Sequence, residues 1–148
     1  MKILSETEKA YLAGIMDGEG SIGAYIYRYR SYRHYIFQIQ IMITTTNREL
    51  VDYLTRITGG IFGITSRPKT DRWKETYWLK VYKKHSKEFL RNIFPYLVIK
   101  KHQAQIFLDM DIRNLNYIKD KEEVNRIKNQ RDRAVAELKV LNVRRSFK

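Results

Sequence analysis

The chain has 148 residues, of which 43% are hydrophobic and 13% aromatic. This length suits one domain that can bury a core without covalent cross-links, and it is too short for two ordinary domains. Because the chain contains no cysteine, a disulfide framework, a thiolate nucleophile and a thiolate zinc site are all excluded.

Charge is the strongest compositional signal. The chain has 29 Lys and Arg residues against 16 Asp and Glu residues, a formal net charge of +13. A polyanionic partner would relieve the resulting self-repulsion, so nucleic acid is the first candidate partner and an anionic membrane surface the second. A basic protein with no polyanionic partner is the remaining alternative.

No apolar run approaches the roughly 18 residues of a membrane span. The first ten residues also lack the apolar stretch of a signal peptide. We therefore expect an intracellular protein, cytoplasmic or associated with the nucleoid, that is not secreted. An organellar location stays open.

A capping box predicts where the first helix begins. Ser5 and Glu8 have the spacing at which each side chain can bond the backbone N–H of the other, so a helix should start near Glu6. Gly18 or Gly20 should end it.

A long hairpin and a second helix are predicted next. Residues 21–30 and 35–43 alternate with period two and are rich in β-branched and aromatic side chains, as paired strands are. Asn47 is the expected cap of a helix that Gly59 and Gly60 end.

The rest of the chain predicts a second hairpin and then helices. Its strands should lie near 61–67 and 76–82, with short helices around Phe89 and Phe107 and a basic helix at about 121–141. The inward-facing positions of that basic helix should be Val124, Ile127, Ala134, Leu138 and Leu141. This element order predicts an α+β domain with one mixed sheet, spanning residues 1–148.

Alternation sorts the first hairpin into an aliphatic face and a face of tyrosines and glutamines. Tyrosine and glutamine can meet base edges, while arginines near the hairpin tip can contact phosphates. A strand of ten residues rises about 33 Å, close to one turn of B-DNA, and a two-stranded ribbon fits the major groove. The predicted DNA-binding residues here are Tyr25, Tyr27, Arg28, Tyr29, Arg30, Arg33, Gln38, Gln40 and Met42.

The second hairpin extends the predicted DNA-binding surface. Trp78 and Lys80 share a face of its second strand. The basic residues that flank its turn are Arg67, Lys69, Arg72 and Lys74. The alternative interpretation of both hairpins is an ordinary half-solvated antiparallel sheet, on which such residues are common.

The first helix carries small residues on one side and acids at its end. Ala10, Gly14, Asp17 and Gly18 fall near one stripe, where a second helix could approach closely. The C-terminal end of a helix carries partial negative charge. If two copies met across a two-fold axis, the doubled acids Asp17 and Glu19 would need a cation, and a divalent metal with oxygen ligands fits. Alternatively, Asp17 caps locally and Glu19 is solvated in a glycine-rich turn.

The segment Leu12-Ala-Gly-Ile-Met-Asp-Gly-Glu-Gly20 resembles the signature of the LAGLIDADG homing endonucleases. The predicted element order likewise resembles that family's αββαββα core, here about residues 5–115, with a basic helical extension at about 119–142. The resemblance implies a four-stranded sheet that forms a DNA-binding saddle. A single motif in a short chain resembles the homodimeric branch, which implies a dimer interface at Ala10, Ala13, Gly14 and Asp17.

The resemblance also implies roles for individual residues. Glu19, at the acidic eighth position of the motif, would bind the catalytic Mg²⁺ with help from the carbonyl of Gly18. Asp17 ranks second as a ligand and acts more as a structural cap. Lys100 would border the active site and order water. Lys101 would contact DNA next to it, and Thr45 and Asn47 would position water.

The implied function is site-specific cleavage of both strands of a long pseudo-palindromic DNA target. A homodimer would hydrolyse one phosphodiester in each strand with a divalent metal, and about ten base pairs per half give a target of roughly twenty. The resemblance also suggests an intron-encoded origin, with an intein or a free-standing gene left open. It implies double-stranded DNA as the partner, with no small-molecule substrate and no membrane partner. The alternative is an RNA-splicing maturase or a non-cleaving DNA-binding regulator of the same fold.

Overall fold

The helices and strands follow the predicted αββαββα order, with further helices after it. The structure is a computed structural model, and it describes residues 3–28, 35–66, 74–81 and 83–143. The elements are α1 (Glu6–Glu19), β1 (Gly20–Arg28), β2 (Tyr35–Thr45), α2 (Arg48–Thr58), β3 (Ile61–Ser66), β4 (Thr76–Val81), α3 (Lys83–Ile93), α4 (Lys101–Asp109) and α5 (Lys121–Asn142). Short 3₁₀ turns at Phe94–Tyr96 and Leu115–Tyr117 lie between the last helices. The α+β class is confirmed.

Side-chain caps begin the helices where the sequence predicts them. Ser5 N donates to Glu8 Oε2 at 2.8 Å and Glu8 N donates to Ser5 Oγ at 3.2 Å, which completes the capping box of α1. Asn47 Oδ1 accepts from Leu50 N at 3.0 Å at the start of α2. Gly59, with φ of 64°, ends α2 in the left-handed region that favours glycine.

The four strands form one sheet in the order β1-β2-β4-β3, and every pair in the described ranges is antiparallel. The expectation of a mixed sheet is corrected on this point. β2 and β3 do run parallel to each other, because each is antiparallel to β4. Since β4 lies between them, no parallel pair of neighbours forms.

One face of the sheet is covered by helices and holds the core. In β1 and β2, Ile22 pairs with Ile41 and Ala24 with Ile39, and all four side chains are buried. Leu79 of β4 continues the same face. The predicted aliphatic face of the first hairpin is therefore the face that packs on helices. The buried helical side chains that meet it include Leu12, Met16, Leu54, Phe89, Phe107 and Leu138.

Helix α5 packs along β1 and contributes a buried arginine that the sequence pattern missed. Arg131 is 2% exposed; its Nε donates to the carbonyl of Asp111 at 2.7 Å, and its guanidinium lies 4.2 Å from the centre of the Phe37 ring. The prediction that Leu141 faces inward is wrong, because in that last turn Asn142 faces β1 instead, with Nδ2 donating to the carbonyl of Ile22. No helix within the described ranges combines the length and the apolarity needed to cross a membrane.

Adding a side chain to Gly59, which ends α2 in the left-handed region, should lower the stability of the fold. We expect Gly59→Ala to lower the free energy of unfolding by about 1 kcal/mol, because a β-carbon is disfavoured at this φ. Gly59→Asn should lower the free energy of unfolding by less, since asparagine tolerates the left-handed region. Urea unfolding measures both variants. Equal losses, or none, would contradict the assignment of strain to this residue.

Candidate nucleic-acid interface and metal site

The second face of the sheet has no helix against it within the described ranges, and we call it the open face. Its register places Tyr25 opposite Gln38, Met42 opposite Lys80 and Thr44 opposite Trp78. The predicted tyrosine, glutamine and tryptophan side chains thus share one surface. The open face comprises Ser21, Gly23, Tyr25, Tyr27, Ile36, Gln38, Gln40, Met42, Thr44, Ile61, Gly63, Trp78 and Lys80.

The aromatic residues of the open face lie in ordered contacts. The rings of Tyr25 and Tyr27 stack with centroids 6.4 Å apart, and both side chains are exposed. A β-carbon placed on Gly63 would lie 2.5 Å from Cζ2 of Trp78, so the indole rests on the bare backbone of β3. The ammonium of Lys80 lies 4.8 Å from the centre of that indole.

Of the other predicted DNA-binding residues, the structure describes the side chains of two, Lys74 and Lys101. Lys74 is exposed just before β4, and Lys101 is exposed at the start of α4 with its ammonium 5.4 Å from the centre of the Phe94 ring. Lys101 therefore stands on a helix and not on the sheet. The side chain of Arg28 is outside the described part of the chain, as are Tyr29, Arg30, Arg33, Arg67, Lys69 and Arg72.

Two isoleucines on the open face were missed by sequence reasoning. Ile36 pairs with Tyr27, Ile61 pairs with Lys80, and each isoleucine is 44% exposed. The signal was available, because the same period-two alternation that assigns Gln38 to this face assigns Ile36 to it.

A clamp between Asp17 and the segment before α4 forms the second part of the site. Asp17 Oδ2 accepts from the backbone N–H of Val98 and Oδ1 from that of Lys100, both at 2.8 Å. In return, Lys100 Nζ donates to the backbone carbonyl of Asp17. The last turn of α1 contains no basic residue of its own, so Lys100 supplies the cation that a helix C-terminus favours.

The clamp also sets the ionisation of Asp17. Partial burial disfavours the charged carboxylate, but the backbone N–H groups of Val98, Lys100 and Ile99 and the charge of Lys100 outweigh this effect. The pKa of Asp17 therefore lies below its usual value, and the residue is a carboxylate at neutral pH. The prediction that it also contacts the metal stays a prediction.

Glu19 is the carboxylate that the structure leaves available. Its side chain is exposed at the end of α1, and its carboxylate makes no hydrogen bond or ion pair with any residue in the described ranges. Gly18 lies in the same turn, where the last carbonyls of a helix have no intrahelical donor. Among the described residues, no group of three His, Asp or Glu side chains forms a metal site within one chain.

Thr45 and Asn47 lie at the same end of the sheet as Glu19. Gly20, the first residue of β1, pairs with Ile43, so the end of β2 runs past it toward the C-terminus of α1. Thr45 Oγ1 accepts from Asn47 N at 3.2 Å, and the side-chain oxygen of Asn47 caps α2. The hydroxyl proton of Thr45 and the amide protons of Asn47 remain as donors, which is what holding a water requires.

The outer side of α1 is bare. Ala10, Gly14 and Gly18 are exposed at i, i+4 spacing, and a β-carbon on either glycine would meet no atom of the described part of the chain within 4 Å. Ala13 was predicted to belong to this side, but it is fully buried in the chain's own core with Leu12. The correction follows from helical geometry, since Ala13 lies about 100° around the axis from Gly14, toward the sheet.

A family model described as a LAGLIDADG-like domain matches residues 6–94. The fold is similar to that of the homing endonuclease I-CvuI in complex with its target in the presence of Ca, with a TM-score of 0.72 and 21% identity over 97% of this chain and 87% of that chain. No curated protein sequence matches the chain.

Two further structures show the same fold. An archaeal intron-encoded homing endonuclease, I-Vdi141I, complexed with DNA, has a TM-score of 0.68 and 19% identity over 97% of this chain and 90% of that chain. The LAGLIDADG meganuclease I-CpaMI, bound to uncleaved DNA, has a TM-score of 0.61 and 17% identity over 95% of this chain and 52% of that chain. At these identities the likeness establishes the fold.

The clamp predicts a pH-dependent loss of stability for Asp17→Asn. Because the pKa of Asp17 is lower in the folded chain than in the unfolded chain, its stabilisation is full above a pH of about 4 and is lost as the pH falls through the folded-state value. At pH 7 the free energy of unfolding of the variant should be about 2 kcal/mol lower than that of the wild type, which is the scale of hydrogen bonds to a charged group.

Urea unfolding between pH 7 and pH 3 tests this prediction. The difference in free energy of unfolding between Asp17→Asn and the wild type should become smaller as the pH falls toward 3. Asp120→Asn is the matched control, since asparagine caps a helix as well as aspartate does. A difference that does not change with pH would contradict the clamp.

Proposed function

The chain belongs to the LAGLIDADG family, whose model matches residues 6–94, and from this premise we propose that it is a site-specific DNA endonuclease. It would act as a homodimer that makes a double-strand break in a pseudo-palindromic target of about twenty base pairs. The observation that carries the proposal is the clamp, which sets the ammonium of Lys100 two residues from the free carboxylate of Glu19.

The residues at the end of α1 suit Mg²⁺ shared with DNA. Mg²⁺ is usually bound by one or two carboxylates together with substrate phosphates and water, and it does not require a complete protein cage. Glu19 would supply the carboxylate and Gly18 a backbone carbonyl. A bound Mg²⁺ would lower the pKa of an attacking water and stabilise charge on the phosphate and the leaving oxygen.

Lys100 would have two roles: its backbone would hold α4 against α1, and its ammonium would stabilise negative charge. Its backbone N–H is tied to Asp17, so the start of α4 is held against the end of α1. Its ammonium can then orient a water or contact the phosphate next to Glu19, where positive charge stabilises the negative charge that develops. Thr45 and Asn47 would hold a second water at the same end of the sheet.

The open face would lie in the major groove and hold the duplex in register. Antiparallel strands of this length match one turn of DNA, and the net charge of +13 neutralises phosphates along the path. Tyr25, Gln38 and Lys80 would meet base edges, with phosphate contacts from Lys74 and Lys101 at the margins.

The bare side of α1 would meet the same helix of a second copy. Side chains at Ala10, Gly14 and Gly18 add little bulk, so two backbones can approach closely. Such a contact would bring the Glu19 carboxylates of both copies to one place over the DNA, which gives one cleavage centre per strand.

Glu19→Gln should separate binding from cleavage. The variant keeps the size of the side chain but removes its charge, so we expect near-normal DNA binding and a cleavage rate at least about a hundredfold lower. The measurement uses target DNA selected from a random library, with Mg²⁺ and with EDTA. Glu122→Gln, another exposed glutamate at the start of α5, is the control that should cut normally. Cutting by Glu19→Gln at the wild-type rate would remove Glu19 from the metal site.

Gly14→Leu should break the dimer without disturbing the chain's own fold. A β-carbon at Gly14 meets no described residue within 4 Å, and leucine favours a helix more than glycine does by about 1 kcal/mol. We expect sedimentation to show a monomer, and far-ultraviolet circular dichroism to show the wild-type helix and strand content. Ala136→Leu, an exposed small residue on α5, should remain dimeric. A dimeric Gly14→Leu would place the interface elsewhere.

A further inference from the structure

Two exposed aliphatic side chains lie beside the clamp. Val98 is 82% exposed and Ile99 is 71% exposed, and both belong to the segment whose backbone N–H groups face the carboxylate of Asp17. Single apolar residues are common on protein surfaces, but two large neighbours that are both this exposed form a candidate contact surface. We call them the Val98–Ile99 pair.

The Val98–Ile99 pair stands on one flank of the bare side of α1, and two tyrosines stand on the other. Successive residues of an α-helix are about 100° apart around the axis, so Asp17 lies about 60° to one side of Gly14 and Tyr11 about 60° to the other. The Val98–Ile99 pair is therefore on the Asp17 flank. On the opposite flank, Tyr11 is 53% exposed, and its ring meets the ring of Tyr53 of α2 edge-on with centroids 6.0 Å apart.

The two-fold symmetry of the proposed homodimer brings opposite flanks together. This inference rests on the proposed function, in which two copies of α1 meet along their bare sides with both Glu19 carboxylates at one place. The two helices then end on the same side of the contact, and the two-fold axis runs between them in roughly the same direction. A half-turn about that axis puts the Asp17 flank of each copy beside the Tyr11 flank of the other. The Val98–Ile99 pair of one copy is then opposite Tyr11 of the other copy.

The area that a stable dimer needs favours a contact that includes both flanks. Stable interfaces bury about 800 Å² on each partner and have an apolar core. Glycine and alanine contribute little side-chain surface, so a contact limited to the bare side would fall short of that area. Within the described residues, the apolar groups next to the bare side are the Val98–Ile99 pair on one flank and the rings of Tyr11 and Tyr53 on the other.

We propose that the Val98–Ile99 pair of each copy packs against Tyr11 and Tyr53 of the other copy. Aliphatic groups against aromatic rings remove apolar surface from water on both sides and leave no charge unpaired. The pair directly precedes Lys100, so the second copy would also press this segment against α1 and fix the position of the Lys100 ammonium. Each copy would thereby help to position the lysine of the other.

Shortening one aliphatic side chain tests the contact. Ile99→Ala keeps the backbone N–H group that faces Asp17, and Ile99 is exposed, so the variant should fold as the wild type does. The dissociation constant of the dimer, measured without DNA by sedimentation equilibrium, should rise about a hundredfold, because the two-fold axis repeats the loss and each contact accounts for about tenfold. Val140→Ala is the matched control, since Val140 is 73% exposed on α5 and its variant should dimerise like the wild type.

A pair of charged variants tests which residues meet. Ile99→Glu alone would put a carboxylate against an aromatic ring, and Tyr11→Lys alone would put an ammonium against aliphatic side chains, so each variant alone should be mostly monomeric. Mixed together, they should form a heterodimer with one unaltered contact between Tyr11 and Ile99 and one ion pair between the two new charges. Native mass spectrometry of the mixture measures the fraction of heterodimer, and raising the salt concentration should reduce that fraction.

Outcomes for the Val98–Ile99 pair and for the homodimer are distinguishable. If Ile99→Ala dimerises as tightly as the wild type while Gly14→Leu is a monomer, the inference is wrong and the proposed homodimer stands. A mixture of the two charged variants that forms no heterodimer would also overturn the pairing of Tyr11 with Ile99. A wild-type chain that stays a monomer at the highest concentration measured and on its DNA target would defeat the proposed homodimer and the inference together.

Discussion

The candidate site depends on the clamp between the carboxylate of Asp17 and the backbone N–H groups of Val98 and Lys100. The two partners are about eighty residues apart in sequence, at 81 and 83 positions. Backbone donors are fixed by the chain path, so a carboxylate that accepts two of them locks the end of α1 against the start of α4. The catalytic chemistry proposed for Glu19 and Lys100 would require that placement, since small displacements of reacting groups are costly.

The two faces of the sheet have different compositions and different surroundings. One face is aliphatic and is buried against helices, which support the sheet rigidly. The other face stays open and carries tyrosine, glutamine, tryptophan and isoleucine. The far end of the β1–β2 hairpin extends beyond β4, and α5 supports it there through Arg131 and Phe37. A buried guanidinium is stable in this position because backbone carbonyls and an aromatic ring surround it.

The exposed small-residue side of α1 and the exposed carboxylate of Glu19 both favour contact with a second copy of the chain. Within the described residues, one chain leaves the Glu19 carboxylate and the small-residue side of α1 exposed, and the proposed site would be incomplete in a single copy. Two copies would double the acid and cover the bare helix in one contact. The excess of basic residues then has a use, because a duplex laid across two such sheets presents phosphates along its whole path.

Local sequence signals determined most of the fold. The capping box at Ser5, the cap at Asn47, the left-handed stop at Gly59 and the period-two strands depend on neighbours in the chain, so the sequence alone predicted the elements, their order and the two faces of the first hairpin. Tertiary structure decided the rest. The burial of Ala13 and Arg131, the strand order that separates β2 from β3, and the clamp on Asp17 each depend on contacts between distant segments. Periodicity describes one element at a time, so it contains no information about which distant backbone groups a side chain will meet.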